Sequence, residues 1–393
     1  MTWEKICISD LGRVVTGDTP PKNRPEYYGS AYPFIKPTDM KIGHRYTHSY
    51  EESYSDEASE KYIKKLIPKN STAVVTIGSI GQKLTLTHAP CFVNQAVNAV
   101  IPDASKFNPL YVFYLLRHNL HLVKNADTGA SSGRENVSKS NFSGLELLAT
   151  LDLNEQGRIA AALDSQDSLI ENNRRRIILL EEAAQLLRHK FYADIGEREM
   201  NGNLPPSLTR TTLAAICDQI KVPADPAKIA SETPYLSMEH MTPKSISLGE
   251  WDTAGTVGSL KLQFQENDVL FGRIRPYFHK VGIAQTSGIT STDMIVVRAK
   301  CEELLPFVVL TMSSDEFVAH AVTTSNGTKM PRADWKVLKD WEVLIPASTD
   351  LNTFAKTILP IFEMIKALAA QNRALTIARD QMLPKLMSGE IKV

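Results

Sequence analysis

Two long stretches of the chain carry apolar residues at alternating spacings of three and four, which is the repeat of a coiled-coil helix. The first stretch runs from residue 152 to residue 196 and contains no proline. Asp152 followed by Glu155 resembles a capping box, and Gly196 is a typical helix stop. The pattern predicts one helix of about 40 residues and about 60 Å. Its predicted seam consists of Leu163, Gln166, Ile170, Asn173, Ile177, Leu180, Ala184, Leu187 and Phe191.

A second stretch of the same kind runs from residue 354 to residue 389, where Gly389 again stands at a natural helix stop. Pro360 predicts a kink or a restart of this helix, because proline lacks the N–H group and clashes with the preceding turn. The predicted seam consists of Phe354, Ile358, Ile361, Ile365, Leu368, Asn372, Leu375, Ala378 or Arg379, Met382 and Leu386.

One asparagine interrupts each seam, Asn173 in the first helix and Asn372 in the second. Asn173 lies three positions after one seam residue and four before the next, whereas Asn372 lies four positions after one seam residue and three before the next. This opposite phasing suits an antiparallel pair, and buried asparagines can fix the register of paired helices. We therefore expect Asn173 and Asn372 to meet. The alternative is that each lies on a solvated edge of a helix that packs elsewhere.

The charged residues of the first predicted helix are interpreted as solvated faces. Glu181 and Glu182 are adjacent, and Arg174, Arg175 and Arg176 point in several directions around one turn. We expect both glutamates to be exposed. For the three arginines, contact with DNA or with a partner is the alternative to simple solvation.

The rest of the sequence forms two similar blocks of β-branched runs, polar loops and short apolar helices. The first block covers residues 1–150, and the same order of segments returns after residue 197. TPYLSMEHM follows the pattern of YPFIKPTDM, and TTSNGTKMPRADW stands where DTGASSGRENVSK stood, with matched positions about 194 to 199 residues apart. Because seven such matches keep one order, the sequence predicts an internal duplication.

The predicted fold class is α+β, with two α/β-mixed domains separated by two long antiparallel coiled-coil helices and related by pseudo-twofold symmetry. The predicted segments are a domain at 1–150, a central helix at 151–196, a domain at 197–347 and a C-terminal helix at 348–393. Antiparallel helices would place the domains at opposite ends, about 50 to 60 Å or about 15 base pairs of B-DNA apart. Two readers related by a twofold axis suit a duplex, whose backbone has the same symmetry.

Composition narrows the class of protein without identifying it. Lys plus Arg equals Asp plus Glu, at 44 each, so no global charge favours nucleic acid. Cys7, Cys91, Cys217 and Cys301 stand alone, which predicts neither a zinc site nor a disulfide framework. We expect no signal peptide and no membrane span, and hence a cytoplasmic protein.

Polar loops rich in Gly, Ser, Asn, Lys and Arg are the local feature that favours DNA, because such side chains contact phosphates and base edges. The candidates in the first block are Lys36, Thr38, Ser79, Gln82, Lys83, Ser132 and Arg134. The candidates in the second block are Ser237, Arg273, Arg275, Tyr277, Asn326, Thr328 and Lys329. Each is also explained by simple solvation. The GSIGQK segment lacks the spacing of a nucleotide-binding phosphate loop.

Taken together, the motifs TGDTPP, YPFIKPTDM, NEQGRIAAALDSQDSLIE, SNGTKM and QMLPKLMSGEIKV resemble the DNA-specificity subunit of type I restriction-modification enzymes. The resemblance covers essentially the whole chain and rests on the order and spacing of these motifs. The second block departs from it, with QIKVPADP in place of GDTPP and with Leu351 and Asn352 where the first helix has its Glu-Gln pair.

The resemblance implies two target-recognition domains that each read half of a split site in double-stranded DNA, with the helices as spacer. It implies docking of two methyltransferase subunits and of restriction and motor subunits. S-adenosylmethionine, ATP and Mg²⁺ would belong to those partners, with no cofactor and no metal in this subunit. Motifs such as H-E-x-x-H and G-x-S-x-G are absent from the sequence, which also predicts a non-catalytic chain.

Two alternatives stay open at this point. The first is a coiled-coil adaptor that binds other proteins, which the zero net charge does not exclude. The second is the specificity subunit of a related methyltransferase or nuclease that acts on a split site without a separate motor subunit. Sequence-dependent DNA binding with a steep salt dependence would distinguish a DNA reader from an adaptor.

Overall fold

The computed structural model describes residues 3–127, 135–197, 208–225, 228–327 and 329–393. The chain forms two compact units. Unit 1 comprises residues 1–168 and 376–393, and unit 2 comprises residues 169–375. In the described part of the chain, no helix combines the length and the apolar composition that crossing a membrane requires.

Unit 1 mixes short strands with short helices and ends in the first part of a very long helix. Its strands are β1 (Trp3–Cys7), β2 (Gly12–Thr16), β3 (Tyr28–Ile35), β4 (Glu52–Tyr54), β5 (Thr72–Val75), β6 (Leu84–Leu86), β7 (Phe92–Val93), β8 (Val97–Pro102) and β9 (Glu146–Thr150). Its helices are α1 (Asp56–Lys61), α2 (Pro109–His118), α3 (Leu120–Asn125), α4 (Lys139–Ser143) and the long α5 (Leu153–Glu197), which continues into unit 2.

The strands of unit 1 form three small sheets. An antiparallel sheet has the order β2-β8-β5-β6, and β5 is buried along its whole length, as expected for the β-branched run TAVV. In a second sheet β3 pairs with β4 in antiparallel and with β7 in parallel orientation. Strands β1 and β9 form an antiparallel pair. Helix α2 buries its apolar residues 111–116 in the core beside the first sheet.

Unit 2 is likewise a mixture of strands and helices. Its strands are β10 (Leu208–Thr212), β11 (Cys217–Ile220), β12 (Pro223–Ala224), β13 (Pro234–Leu236), β14 (Asp252–Thr253), β15 (Lys261–Phe264), β16 (Val269–Gly272), β17 (Val281–Ile283), β18 (Gly288–Thr290), β19 (Met294–Ala299) and β20 (Glu342–Pro346). Its helices are α6 (Leu213–Ile216), α7 (Leu305–Met312), α8 (Asp315–Thr323), α9 (Trp335–Leu338) and the long α10 (Ser348–Met387), whose last part belongs to unit 1.

The first sheet of unit 2 is antiparallel with the order β11-β19-β16-β17, and its strand β16 is fully buried. A second sheet has the order β12-β15-β18-β13-β14, with β13 and β18 parallel. Strands β10 and β20 form an antiparallel pair. Helix α7 is buried along its whole length and has no solvated polar face, because it packs in the core with residues of the first sheet and of the long helices. The mixed α/β character predicted from the sequence is confirmed.

Helices α5 and α10 pack side by side in antiparallel orientation within each unit. In unit 2, Asn173 contacts Gln371 and Phe191 stacks against Phe354 with ring centroids 4.6 Å apart. In unit 1, Asp167 binds Arg379 and Gln166 contacts Met382. Apolar residues of the predicted seam fill the core between them, among them Leu163 and Leu386 in unit 1 and Ile177, Ala184, Ile358, Ile365 and Leu368 in unit 2.

Three local predictions about these helices need correction. Asn173 donates its amide to Gln371 Oε1 at 2.8 Å and not to Asn372, because the register differs by one residue from the expected one. Helix α10 runs through Pro360 without restarting, and Pro360 is exposed. Gly196 lies inside α5, whereas Gly389 adopts the left-handed conformation of a helix stop, with φ 73°.

The start of α5 explains its polar sequence. Asp152 Oδ1 accepts the N–H of Asn154 at 2.9 Å and caps the helix. Glu155 is buried and accepts the Thr150 hydroxyl at 2.8 Å. Gln156, also buried, accepts the N–H of Asn108 and donates to the carbonyl of Thr150. These bonds fasten the first turn of the long helix to the α2 and β9 segments of unit 1.

Candidate nucleic-acid interface

The structure brings together two loops of unit 1 that carry predicted DNA contacts and a third segment, residues 135–137, that follows two further predicted residues in the sequence. The first is the turn 36–39 after β3, and the second is the turn 78–83 after β5. Lys83 Nζ joins them by donating to the Pro37 carbonyl at 2.9 Å. The third segment, residues 135–137, is held by a β-bridge from Ile77 to Asn136 and by the Gly78 N–H, which donates to the Glu135 carbonyl.

Two glycines shape the second of these turns. Gly78 and Gly81 have φ of 87° and 72°, a conformation that side chains other than glycine rarely adopt. At Gly81 a Cβ atom would also lie 2.7 Å from the Cβ of Lys124, so the turn approaches α3 too closely for any side chain. Between these glycines Ile80 is buried, and Ser79 and Gln82 flank it in exposed positions. The turn therefore presents polar side chains from an anchored backbone.

Lys36 is less available than its sequence position suggests. Its ammonium group lies 2.7 Å from Glu51 and 3.3 Å from Glu52, and its hydrogen bond to Glu51 raises the pKa of Lys36 despite partial burial. Thr38 is exposed in the same turn. The pairing with two carboxylates neutralises the Lys36 charge, so the polar groups that face outward from this turn are those of Thr38 and its backbone.

Unit 2 brings together the corresponding loops. Lys280 Nζ donates to the Met238 carbonyl at 2.6 Å and joins the loop 273–280 after β16 to the turn 237–241 after β13. A β-bridge from Ile274 to Arg332 joins the same loop to the hairpin 326–332. The hairpin closes through reciprocal backbone hydrogen bonds between Asn326 and Arg332.

The predicted residues of unit 2 differ in how exposed they are. Ser237 is buried, and its hydroxyl donates to Glu239 at 2.9 Å, so it stabilises its own turn. Arg273 donates Nε–H to the Ala333 carbonyl at 3.0 Å, which fixes its side chain against the hairpin. Tyr277, Asn326 and Lys329 are exposed. The predicted residues Ser132, Arg134 and Thr328 lie outside the described residues.

The loop 273–280 contains two residues in the left-handed region of backbone conformation. Arg275 has φ 49° and His279 has φ 50°, and they flank a single 3-10 turn, Pro276–Phe278. Such a conformation costs about 1 to 2 kcal/mol for a residue with a Cβ atom. The surrounding hydrogen bonds hold it in place, because Arg275 N–H donates to the Pro331 carbonyl at 2.7 Å and Lys244 N–H donates to the His279 carbonyl at 2.9 Å.

Sequence reasoning did not single out two residues of this surface. Phe278 lies next to Tyr277 and is 41% exposed, which is unusual for a phenylalanine. Arg332 lies at the base of the hairpin, where its side chain is half exposed and its guanidinium lies 3.8 Å from Asp293. Both stand in the loop segments that the sequence marked, so adjacency to the predicted residues was the available signal.

One group of described side chains has the composition of a metal site, namely Glu239, His240 and Asp252. His240 accepts the Ser237 N–H on Nδ1 at 3.0 Å, so its Nε2 carries the proton and faces Asp252 at 3.3 Å. Glu239 already accepts the Ser237 hydroxyl. These groups therefore satisfy one another within the turn that follows β13.

Glu181 is not on a solvated face, contrary to the prediction from its charge. Its carboxylate accepts hydrogen bonds from Ser245 Oγ at 2.7 Å, Ile246 N at 2.8 Å and Ser247 N at 3.2 Å. Burial raises the pKa of Glu181 to about 7, and the three donors only partly oppose this effect. The carboxylate thus fastens helix α5 to the loop between β13 and β14 of unit 2.

We predict that Glu181 makes the stability of unit 2 dependent on pH. Its pKa in the folded state is about 7, above the ordinary 4.5, so the folded state keeps a proton that the unfolded state releases. The contribution of Glu181 to the free energy of unfolding is therefore fully present below about pH 4.5 and is lost as the pH rises to about 7. The loss amounts to up to about 1.4 kcal/mol per pH unit. Thermal unfolding between pH 5 and 8 should show this slope in the wild type and a flatter one in Glu181→Gln. Glu182→Gln, at the exposed neighbour, is the control, and equal slopes for all three proteins would refute the assignment.

Unit 1 contains a buried cluster of charges where α2, α5 and α10 meet. Asp167 is 2% exposed and accepts hydrogen bonds from Arg379 Nη1 at 2.6 Å, Tyr114 OH at 3.0 Å and Arg117 Nη1 at 3.4 Å. Burial lowers the pKa of Arg117. Burial also acts to lower the pKa of Arg379, but attraction and hydrogen bonds to Asp167 and Asp380 together outweigh it and raise that pKa. Both guanidinium groups remain charged, because their ordinary pKa is far above neutrality. The buried carboxylate of Asp167 therefore holds two cations in the core, assisted by the half-exposed Asp380, which lies 2.8 Å from Arg379 and 3.9 Å from Arg117.

Comparisons with known proteins agree with this arrangement. Residues 1–182 match the family model described as type I restriction modification DNA specificity domain. The type I restriction enzyme MjaIX specificity subunit of Methanocaldococcus jannaschii is 22% identical over 416 residues, which cover 100% of this chain and 94% of that protein. The HindI specificity subunit of Haemophilus influenzae is 32% identical over 37% of this chain and 31% of that protein.

A solved structure has the same fold. The crystal structure of the S subunit of a type I restriction-modification system from M. genitalium matches 98% of this chain and 96% of that chain, with a TM-score of 0.57 and 16% sequence identity. These findings show that residues 1–182 match a type I restriction modification DNA specificity domain. The whole chain is similar in sequence to a type I restriction enzyme specificity subunit and shares the fold of an S subunit.

Proposed function

We propose that this specificity subunit reads a split target in double-stranded DNA, with unit 1 and unit 2 each reading one half. The observation that carries the proposal is the repeated loop arrangement. In each unit a lysine ties the loop after a buried central strand to the turn after a parallel strand, through Lys83 in unit 1 and Lys280 in unit 2. The same loop is bridged to a later segment, by Ile77 in unit 1 and Ile274 in unit 2.

An internal duplication accounts for this repetition. The sheet order β2-β8-β5-β6 of unit 1 corresponds strand by strand to β11-β19-β16-β17 of unit 2. The antiparallel pair β1 and β9 corresponds to β10 and β20, and the parallel pair β3 and β7 corresponds to β13 and β18. Two copies of one reading module, related by pseudo-twofold symmetry, suit the two strands of a duplex. We retain the four segments 1–150, 151–196, 197–347 and 348–393 as the proposed modules and helices.

The long helices would act as the spacer between the two half-sites and as the docking surface for partner subunits. Their antiparallel packing inside each unit supports the spacer role. The partner subunits would catalyse the reactions. Two methyltransferase subunits would use S-adenosylmethionine, and restriction subunits would use ATP and Mg²⁺. The specificity subunit itself is non-catalytic and would bring the methyltransferase active site to the correct base, which is extruded from the stack for reaction.

The outward-facing loop groups are suited to both kinds of DNA contact. In unit 1 Thr38, Ser79 and Gln82 offer polar groups, and in unit 2 Asn326 and Lys329 are exposed beside Tyr277. Amides read base edges, whereas lysine and backbone N–H groups bind phosphates. An adaptor that binds only proteins would not need this polar character in both sets of loops.

The test is an electrophoretic mobility shift with the subunit assembled with its methyltransferase, across a series of salt concentrations. A reader that neutralises about 6 to 10 phosphates loses about 10³- to 10⁵-fold in affinity between 50 and 200 mM salt. We expect this steep dependence together with a preference for one DNA sequence over scrambled duplexes of equal length. Absence of DNA binding by the assembled complex would instead favour the adaptor.

A further inference from the structure

An exposed pair of aromatic rings lies at the tip of the loop 273–280 in unit 2. Tyr277 is 52% exposed and Phe278 is 41% exposed, and their ring centroids lie 4.9 Å apart at an interplanar angle of 59°. Met330, in the bridged hairpin, is 48% exposed. Single exposed apolar side chains are common, but two aromatic rings in contact form a contiguous exposed apolar surface, which is typical of an interaction site.

The backbone beneath the rings is held rigidly. Pro276, between Arg275 and the rings, is buried, and so is His279 on the other side. His279 Nε2–H donates to the Ser313 carbonyl at 2.9 Å, and its Nδ1 lies 3.4 Å from Asp315. The backbone of this turn is restricted by its two left-handed residues and by the contacts on both sides. The two rings therefore already have the position in which they would bind.

The charges around the tip of the loop 273–280 favour binding of a polyanion over binding of an apolar protein surface. Arg273, Arg275, Lys280, Lys329 and Arg332 all lie in the loop or in the bridged hairpin. Arg332 faces Asp293 at 3.8 Å and Lys244 faces Asp315 at 2.9 Å, so these pairs cancel and the remaining four cations of the two segments give a positive balance. Aromatic rings set among cations are the combination that binds unstacked nucleic-acid bases.

We propose that Tyr277 and Phe278 form a wedge that enters the duplex and partly unstacks a base step in the half-site read by unit 2. This inference rests on the proposed function and adds a specific role to it. Apolar wedges between base pairs kink DNA at steps that deform easily. The wedge would therefore contribute sequence preference through the deformability of a step, in addition to the hydrogen bonds of neighbouring side chains.

The test uses the subunit assembled with its methyltransferase, bound to duplexes that contain its methylated sequence. Permanganate oxidises thymines that are unstacked, so its reactivity is mapped over the target and the flanking base pairs. A thymine opposite the methylated base is left out, because extrusion of the methylated base exposes its partner. The variants are Tyr277→Ala with Phe278→Ala, the conservative Tyr277→Phe, and Leu260→Ala as a control at a 58% exposed apolar residue of the same unit.

We expect enhanced thymine reactivity in one half of the target for the wild type, Tyr277→Phe and Leu260→Ala. The double alanine variant should lose this reactivity and bind the target about 5- to 150-fold more weakly, the range found when stacking aromatics are removed. Sequence-specific binding without unstacked thymines, or reactivity unchanged in the double variant, would overturn the wedge and leave the proposed function intact. Absence of sequence-dependent binding by the wild-type complex would overturn both.

Discussion

Replacing Asp167 by alanine is expected to destabilise unit 1 by about 3 to 5 kcal/mol, the cost of removing one partner from a buried ion pair. The carboxylate accepts from Arg379, Arg117 and Tyr114, so its loss leaves two guanidinium groups buried beside each other without an anion between them. Amide hydrogen exchange in peptides of α2 and of the first part of α5 would measure the change. Asp380, which lies 2.8 Å from Arg379, keeps this cation from being wholly unpaired.

Two further variants make this result specific. Arg379→Met should cost less than Asp167→Ala, because Tyr114 and Arg117 still satisfy the remaining carboxylate. Arg24→Ala, in an ion pair with Glu26 whose side chains are 60% and 38% exposed, should leave exchange in these peptides unchanged. If the amides of Asp167→Ala were protected from exchange as in the wild type, the charge cluster would not stabilise the packing of α2, α5 and α10 in unit 1.

Lengthening both long helices by one turn is expected to change the spacing between the half-sites while leaving both half-site sequences unchanged. Four residues added after Arg175 in α5 and four after Ala370 in α10 fall beside the contact of Asn173 with Gln371, so that the antiparallel pairing can re-form on either side. Four helical residues add about 6 Å, which corresponds to about two base pairs of B-DNA. Mapping the methylated sites of the lengthened protein would give the new spacing.

The control has the same helix lengths as the wild type. Arg175→Ala together with Arg176→Ala changes two exposed residues beside the insertion point without adding a turn. This variant should keep the original spacing. A lengthened protein that methylates sites of the original spacing would refute the proposal that the helices set the distance.

The long helices were predictable because their signal is local and repeated. Spacings of three and four over about 40 residues specify both the helix and the face that it buries, and Ile177, Ala184, Ile358 and Ile365 lie in the core as predicted. The register was not predictable to the residue. Asn173 selects Gln371 and not Asn372, since a polar partner one position away satisfies the same amide and phasing alone does not separate the two.

Charges were the least predictable feature. The pattern left Ala378 and Arg379 as alternatives for one seam position, and the structure buries the arginine because Asp167 neutralises it there. Glu181 is interpreted from sequence as solvated, yet a loop more than 60 residues later supplies the donors that bury it. Both cases depend on partners distant in sequence, which no local pattern records.

Polar composition marked loops that the structure brings together in pairs, joining turn 36–39 to turn 78–83 and loop 273–280 to hairpin 326–332. Contact of these loops with DNA stays a prediction. The sequence could not show that Ser237 is buried or that Lys36 is paired with two glutamates, because both facts depend on how the chain folds around these turns.

In the proposed function, one chain with two reading modules specifies one split DNA sequence. Methylation mapping of the host genome with and without the gene for this chain is the decisive experiment. Removal of the gene should abolish methylation of a single motif made of two half-sites separated by a fixed number of unspecified base pairs. Loss of a continuous motif, or an unchanged methylation pattern, would contradict it.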